Sequence, residues 1–109
     1  MRIAENVSAE VIGEKRGRYT VKVTNNSDGD IYIAEYNLYV IKDGETDVFR
    51  QSVRIGHEHV HPIAAGEIVE NEFSCSVGGR DMLSRGGSAY LRVLDSEGCE
   101  MFVPVEFPE

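Results

Sequence analysis

Tyr19-Thr20-Val21-Lys22-Val23-Thr24 is the stretch on which the fold turns. Successive side chains of an extended chain point to opposite faces, so Tyr19, Val21 and Val23 share one side and Thr20, Lys22 and Thr24 the other. That is the pattern of a strand with one face buried. Upstream, residues 1–18 are loosely patterned, and a single edge strand is expected at residues 9–12. Downstream, Asn25-Asn26-Ser27-Asp28-Gly29-Asp30 has the composition of a turn. Residues 31–41 then form the longest β-rich run. Ile31 and Ile33 set an odd apolar phase, while Tyr36, Leu38 and Val40 set an even one. One residue inserted near positions 34–37 reconciles the two, as a β-bulge or a strand changing sheets would.

The same texture continues to the end of the chain. Asp43-Gly44 suits a two-residue hairpin turn, and residues 46–55 return with Phe49, Val53 and Ile55 on one face. After Pro62 and Ala65-Gly66-Glu67, the run 68–77 places Val69, Phe73, Cys75 and Val77 inward and Glu70 and Glu72 outward. Residues 78–88, with four glycines, read as the longest mobile connection, tucked down by Met82 and Leu83. Ala89, Leu91 and Val93 alternate. Asp95-Ser96-Glu97-Gly98 turns the chain, and Cys99, Met101, Val103, Val105 and Phe107 form a last inward row. Pro104 donates no ladder hydrogen bond, which favours an edge or a bulge at that point.

Six to eight short strands punctuated by turns, with at most one helical turn, predict an all-β domain of two packed antiparallel sheets. A small, partly open barrel uses the same strand count. No repeat or linker divides the 109 residues, so one domain over 1–109 is expected. The Val-x-Val-x-Asn-like strand at 19–26, the 38–44 segment ending in Asp-Gly and the Ala65-Gly66-Glu67 turn together resemble immunoglobulin-like bacterial and archaeal accessory domains. The likeness spans about residues 19–107 and departs at Ala65, where those domains usually carry proline. It implies an immunoglobulin-like antiparallel β-sandwich that binds, spaces or assembles and does not catalyse.

Nineteen Asp and Glu against eleven Lys and Arg give a formal charge of -8. Phosphate backbones and anionic lipid need clustered cations, so neither nucleic acid nor a membrane surface is an expected partner. The densest basic patch is Lys15-Arg16-Gly17-Arg18. The charged amino-terminal stretch and the absence of a long apolar run predict a cytoplasmic protein. Cys75 and Cys99 lack CxxC spacing and are expected to be buried thiols, with a cross-strand disulfide as the alternative in an exported protein.

All three histidines fall in His57-Glu58-His59-Val60-His61. On a strand, residues two apart lie about 6.5–7 Å apart on one side, so His57, His59 and His61 are the candidate ligands for Zn or Cu. A closed site also needs a ligand from another strand. Asp28, Asp30 and Asp43 lack calcium-loop spacing and read as turn residues. The serines have no arrangement that marks a nucleophile. The remaining candidate site is a surface. Tyr32, Tyr39, Tyr90, Arg92 and Phe102 fall on phases opposite the core rows, and Tyr and Arg are the residues that dominate protein contacts. The expected function is therefore a non-catalytic protein-interaction or assembly module, with a protein partner or a homo-oligomer. The competing readings are a metal-binding protein using the histidine run, and a small-molecule carrier or enzyme with a site beside residues 78–88.

Overall fold

The computed structural model describes residues 2–47 and 62–108; the expected strand beyond Asp47 and the histidine run His57, His59 and His61 lie outside the described residues. The strands are β1 (Val7–Lys15), β2 (Arg18–Asn25), β3 (Ile31–Ile33), β4 (Tyr39–Lys42), β5 (Glu45–Asp47), β6 (Pro62–Ile63), β7 (Ile68–Ser74), β8 (Ser88–Leu94) and β9 (Glu100–Glu106). One helix, α1 (Val77–Ser84), stands between β7 and β8. The protein is mostly β, as expected. Its strands form one sheet in the order β5-β4-β8-β9-β1-β2-β7, with β3 and β6 attached through β8. A backbone bridge from Asn37 to Ser74 ties the β3–β4 connection to β7 at the far end of that order. The sheet is thus nearly closed and barrel-shaped, where two separate layers were expected.

Most of the inward rows that the alternation marks are buried. Val21, Val23, Phe73, Leu91, Val93 and Val103 have no measurable exposure. Burial of these apolar faces from two or more strands is the main stabilising term for such a fold. Strand β1 is longer than the edge strand expected at 9–12, and it is interior. It pairs antiparallel with β2 and, at Ala9 and Glu10, parallel with β9. Its alternation is hard to see because a bulge between Val11 and Gly13 resets the phase.

Strands β3 and β4 are two halves of the long 31–41 run, and both pair with β8. Tyr32 lies opposite Leu94 and Tyr39 opposite Tyr90. Seven residues of one strand therefore match four of the other, so the excursion holds three extra residues where one was expected. The extra length lets the chain leave β8 at Ala34 and reach the β7 end, where Ser74 donates to the Tyr36 carbonyl and Leu38 donates to the Ser74 carbonyl. A similar detour occurs beside β9. Ile3 bridges to Phe102, while Ala9 pairs with Val105. The Phe102 N–H and C=O both bond the amino-terminal segment. By alternation the Pro104 nitrogen faces the same side, at the kink around Asn6. Pairing on that side is interrupted between the Ile3–Phe102 bridge and the Ala9–Val105 pair, so no ladder bond there needs a donor from Pro104, although β9 is an interior strand and not an edge.

Residues 78–88 are not a mobile loop. Ser76 caps α1 by accepting from Gly79 N–H, and Met82 is buried against the core. At the other end, Gly86 adopts φ 94° while Gly86 and Gly87 donate to the carbonyls of Leu83 and Met82, a glycine-terminated helix end. Val77, expected inward, is the first helical residue and is 75% exposed. Cys75 is buried, but Cys99 is exposed in the β8–β9 turn, contrary to expectation, and no disulfide joins the two. Phe107 is also exposed, with its ring edge against Tyr19. The Asp43-Gly44 hairpin forms as expected, with both residues at positive φ and Lys42 opposite Glu45.

Candidate functional site

Residues directly opposite one another in a ladder share a face, so the pairings decide which expected contact residues meet. Tyr39 lies opposite Tyr90, and Tyr90 lies opposite Pro104. One step along, Arg92 lies opposite Phe102. These residues form one continuous patch on the outer face of β4, β8 and β9. The Tyr39 and Phe102 rings meet edge to face, with centroids 5.1 Å apart. Tyr32, opposite Leu94, extends the patch toward the end of β8. All five expected residues therefore lie on one face. Phe102, however, is only 6% exposed, so it is the floor of the patch and not a contact residue.

The centre of the patch is charged. Arg92 donates through Nη1 to Glu35 Oε1 at 2.8 Å and through Nε to Glu100 Oε2. Glu35 is 1% exposed, and its second oxygen has no hydrogen-bond partner among the described residues. Burial alone disfavours the Arg92 charge. The hydrogen bond and attraction from Glu100, followed by those from Glu35, outweigh it and hold the guanidinium above the usual arginine range. The planar fork is fixed between two carboxylates, which holds the side chain in one orientation. Glu35 sits within the excursion between β3 and β4, residues 34–38, and its carboxylate meets Arg92.

A second feature lies at one end of the barrel. A cleft of about 510 Å³ is bounded by the amino-terminal segment, the β2–β3 loop and the β8–β9 turn. Its floor is apolar, formed by Val7, Ile31 and Met101, and its rim carries Glu5, Asp28, Asp30 and Asp95 with Arg2. Asp95 organises the turn by accepting from the N–H groups of Glu97 and Cys99, both at 2.9 Å. The Cys99 hydrogen bond, then that of Glu97 and the Arg2 ion pair at 3.3 Å, hold its carboxyl below the usual aspartate range despite some desolvation. The β2–β3 loop is fixed by Asn25, which is fully buried. Its amide donates to the Gly29 and Ile63 carbonyls, and its oxygen accepts from Ser27 N–H and hydroxyl. Every hydrogen-bonding position of that amide is used, so Asn25 is structural.

At the opposite end, Arg80 of α1 lies over Gly17 of the β1–β2 turn, where an added Cβ would stand 2.9 Å from its guanidinium. Tyr19 nearby has its phenol raised above the usual tyrosine range. Desolvation is the main cause, then Cys75 and Glu14, against the opposing charge of Arg80. Among the described residues no group of three or more His, Cys, Asp or Glu side chains is placed to hold a metal ion. No helix among them is long and apolar enough to cross a membrane.

Sequence reasoning found the aromatic residues by their phase but missed Glu35, Glu100 and Asp95. The change of phase at 34–37 was the available signal for Glu35. Set against models of known families, curated proteins and solved structures, the chain has no match.

Proposed function

We propose that this protein is a non-catalytic interaction module whose contact surface is the outer face of β4, β8 and β9. The observation that carries the reading is the fixed Arg92, held between Glu35 and Glu100 and ringed by Tyr39, Tyr90 and Phe102. Aromatic anchors around a rigid arginine supply contact area at low conformational cost. Two carboxylates outweigh the one guanidinium, and the whole chain carries -8. The complementary partner is a protein with a basic centre and an apolar rim.

A photo-crosslinking residue placed at Tyr90 tests it, with Glu70 on the exposed side of β7 as the control position. Tyr90 is expected to yield a discrete protein adduct in cells, which Tyr39→Ala reduces at least tenfold, while Glu70 yields none. The reading fails if Tyr90 gives no adduct, or if its adduct is indifferent to Tyr39→Ala.

A further inference from the structure

The barrel carries opposite charge at its two ends, and one hairpin connects them. Lys15, Arg16 and Arg18 are exposed at the β1–β2 tip, and the fold adds Arg80 from α1 to the same corner. Among these cations Arg18 pairs with Glu72 at 3.7 Å, an exposed contact of little worth. Glu14 is occupied in accepting the Gly17 N–H. At the other end of the same strands lies the cleft with its four carboxylates, where Arg2 is the single cation on the rim. Nine residues of β1 separate the two ends, roughly 30 Å at 3.3 Å per residue. That is close to the longest dimension of the molecule, 35 Å.

From this placement we infer that copies of the chain associate head to tail, the basic β1–β2 tip of one seating in the acidic cleft of the next. The cleft suits that occupant in two ways. Its apolar floor of Val7, Ile31 and Met101 takes the methylene stem of a lysine or arginine, and its rim takes the charged head. A contact between two different surfaces of one molecule is heterologous and does not close on itself unless the rotation happens to form a ring. Mass therefore grows with concentration beyond a dimer. The overall charge opposes stacking, but at 0.1 M salt the screening length is about 10 Å. Distant charges of the two copies are then muted while those in the cleft still act.

This contact is independent of the aromatic face, and the test separates the two. Light scattering and sedimentation are run on the full chain at 0.1 M and 1 M salt over rising concentration. One variant disables the tip, Lys15→Glu with Arg16→Asn, since asparagine tolerates the positive φ of position 16. The other disables the cleft, Asp28→Lys with Asp30→Lys. Circular dichroism and melting confirm that both fold. Wild type is expected to grow beyond a dimer at 0.1 M salt and to weaken at least tenfold at 1 M. Each variant alone is expected to remain monomeric, and an equimolar mixture of the two is expected to form a capped one-to-one pair. The mixture has one working tip and one working cleft, which only a head-to-tail contact can use. A wild type that stays monomeric overturns the inference. So does self-association that persists in either variant alone, as a contact through the Tyr39 and Tyr90 face would give. A mixture that forms no pair overturns it as well.

Discussion

Glu35 is the residue at which this fold takes its largest local risk. A carboxylate with 1% exposure is held by one guanidinium, and its second oxygen is unmatched among the described residues. Taking the pair out of water costs several kcal/mol per ion, so the pair itself contributes little net stability, but breaking it is expensive. Arg92→Met leaves Glu35 buried without its cation. Because Arg92 keeps a quarter of its side chain exposed, the loss is expected at the low end of that principle's range, about 3 kcal/mol in urea unfolding. Glu35→Leu combined with Arg92→Met is expected to recover most of it, since the carboxylate is then gone as well. A double variant as unstable as Arg92→Met alone would show that Glu35 is not the cause.

At the scale of elements, α1 shows where local preference gives way to packing. Val77-Gly78-Gly79 is a poor helix start, because glycine costs about 1 kcal/mol relative to alanine within a helix. The Ser76 cap and the burial of Met82 offset this. Gly79→Ala would gain that propensity. Its new Cβ, however, would stand 3.0 Å from Cys75 Sγ and Ser76 Oγ and 3.2 Å from Val40 Cγ2. Overpacking of this kind costs about 1–3 kcal/mol, so the variant is expected to be destabilised on thermal melting despite its better helix former. Met82→Ala is expected to cost about 2–3 kcal/mol through the cavity it leaves. Gly79→Ala raising the melting temperature would show that the contacts relax freely.

The same element explains what could be read from sequence. Strands with a clear period, at 19–24 and 89–93, are legible because one buried face imposes it. The helix was hidden by its glycines, whose role of close approach looks like flexibility in a sequence. Between β3 and β4 the change of phase was legible but the length of the detour was not. Alternation records only odd or even, so one extra residue and three leave the same trace. The aromatic face was legible residue by residue for the same reason. Its charged centre was not, because Glu35 and Arg92 are 57 positions apart and nothing local announces their meeting.

For the molecule as a whole, acid acts in two opposing ways. Nineteen carboxylates against eleven basic side chains mean that mild acidification relieves repulsion. Asp95 works against this trend. Its carboxyl is held below the usual aspartate range in the folded state, so its charge stabilises the fold above the unfolded value of about 3.9. That contribution is lost as pH falls through the lower folded value. Asp95→Asn keeps an acceptor for the turn and removes the charge. It is expected to melt below wild type at pH 7, with the gap closing as pH falls below about 4. A gap that stays constant from pH 7 to pH 2.5 would mean that the charge contributes nothing.

The parallel pairing of Ala9 with Val105 and Glu10 with Glu106 has a consequence for how the molecule is made. On a ribosome, β1 and β2 emerge one after the other and can pair at once, but one flank of β1 stays unsatisfied until β9 has been synthesised. Contacts between residues so far apart in sequence form late and close slowly. During that interval the exposed flank of β1 is a strand edge open to any neighbouring chain. The newborn chain therefore depends on swift synthesis of β9, and a pause in translation just before Glu100 would prolong the interval in which it is most prone to aggregate.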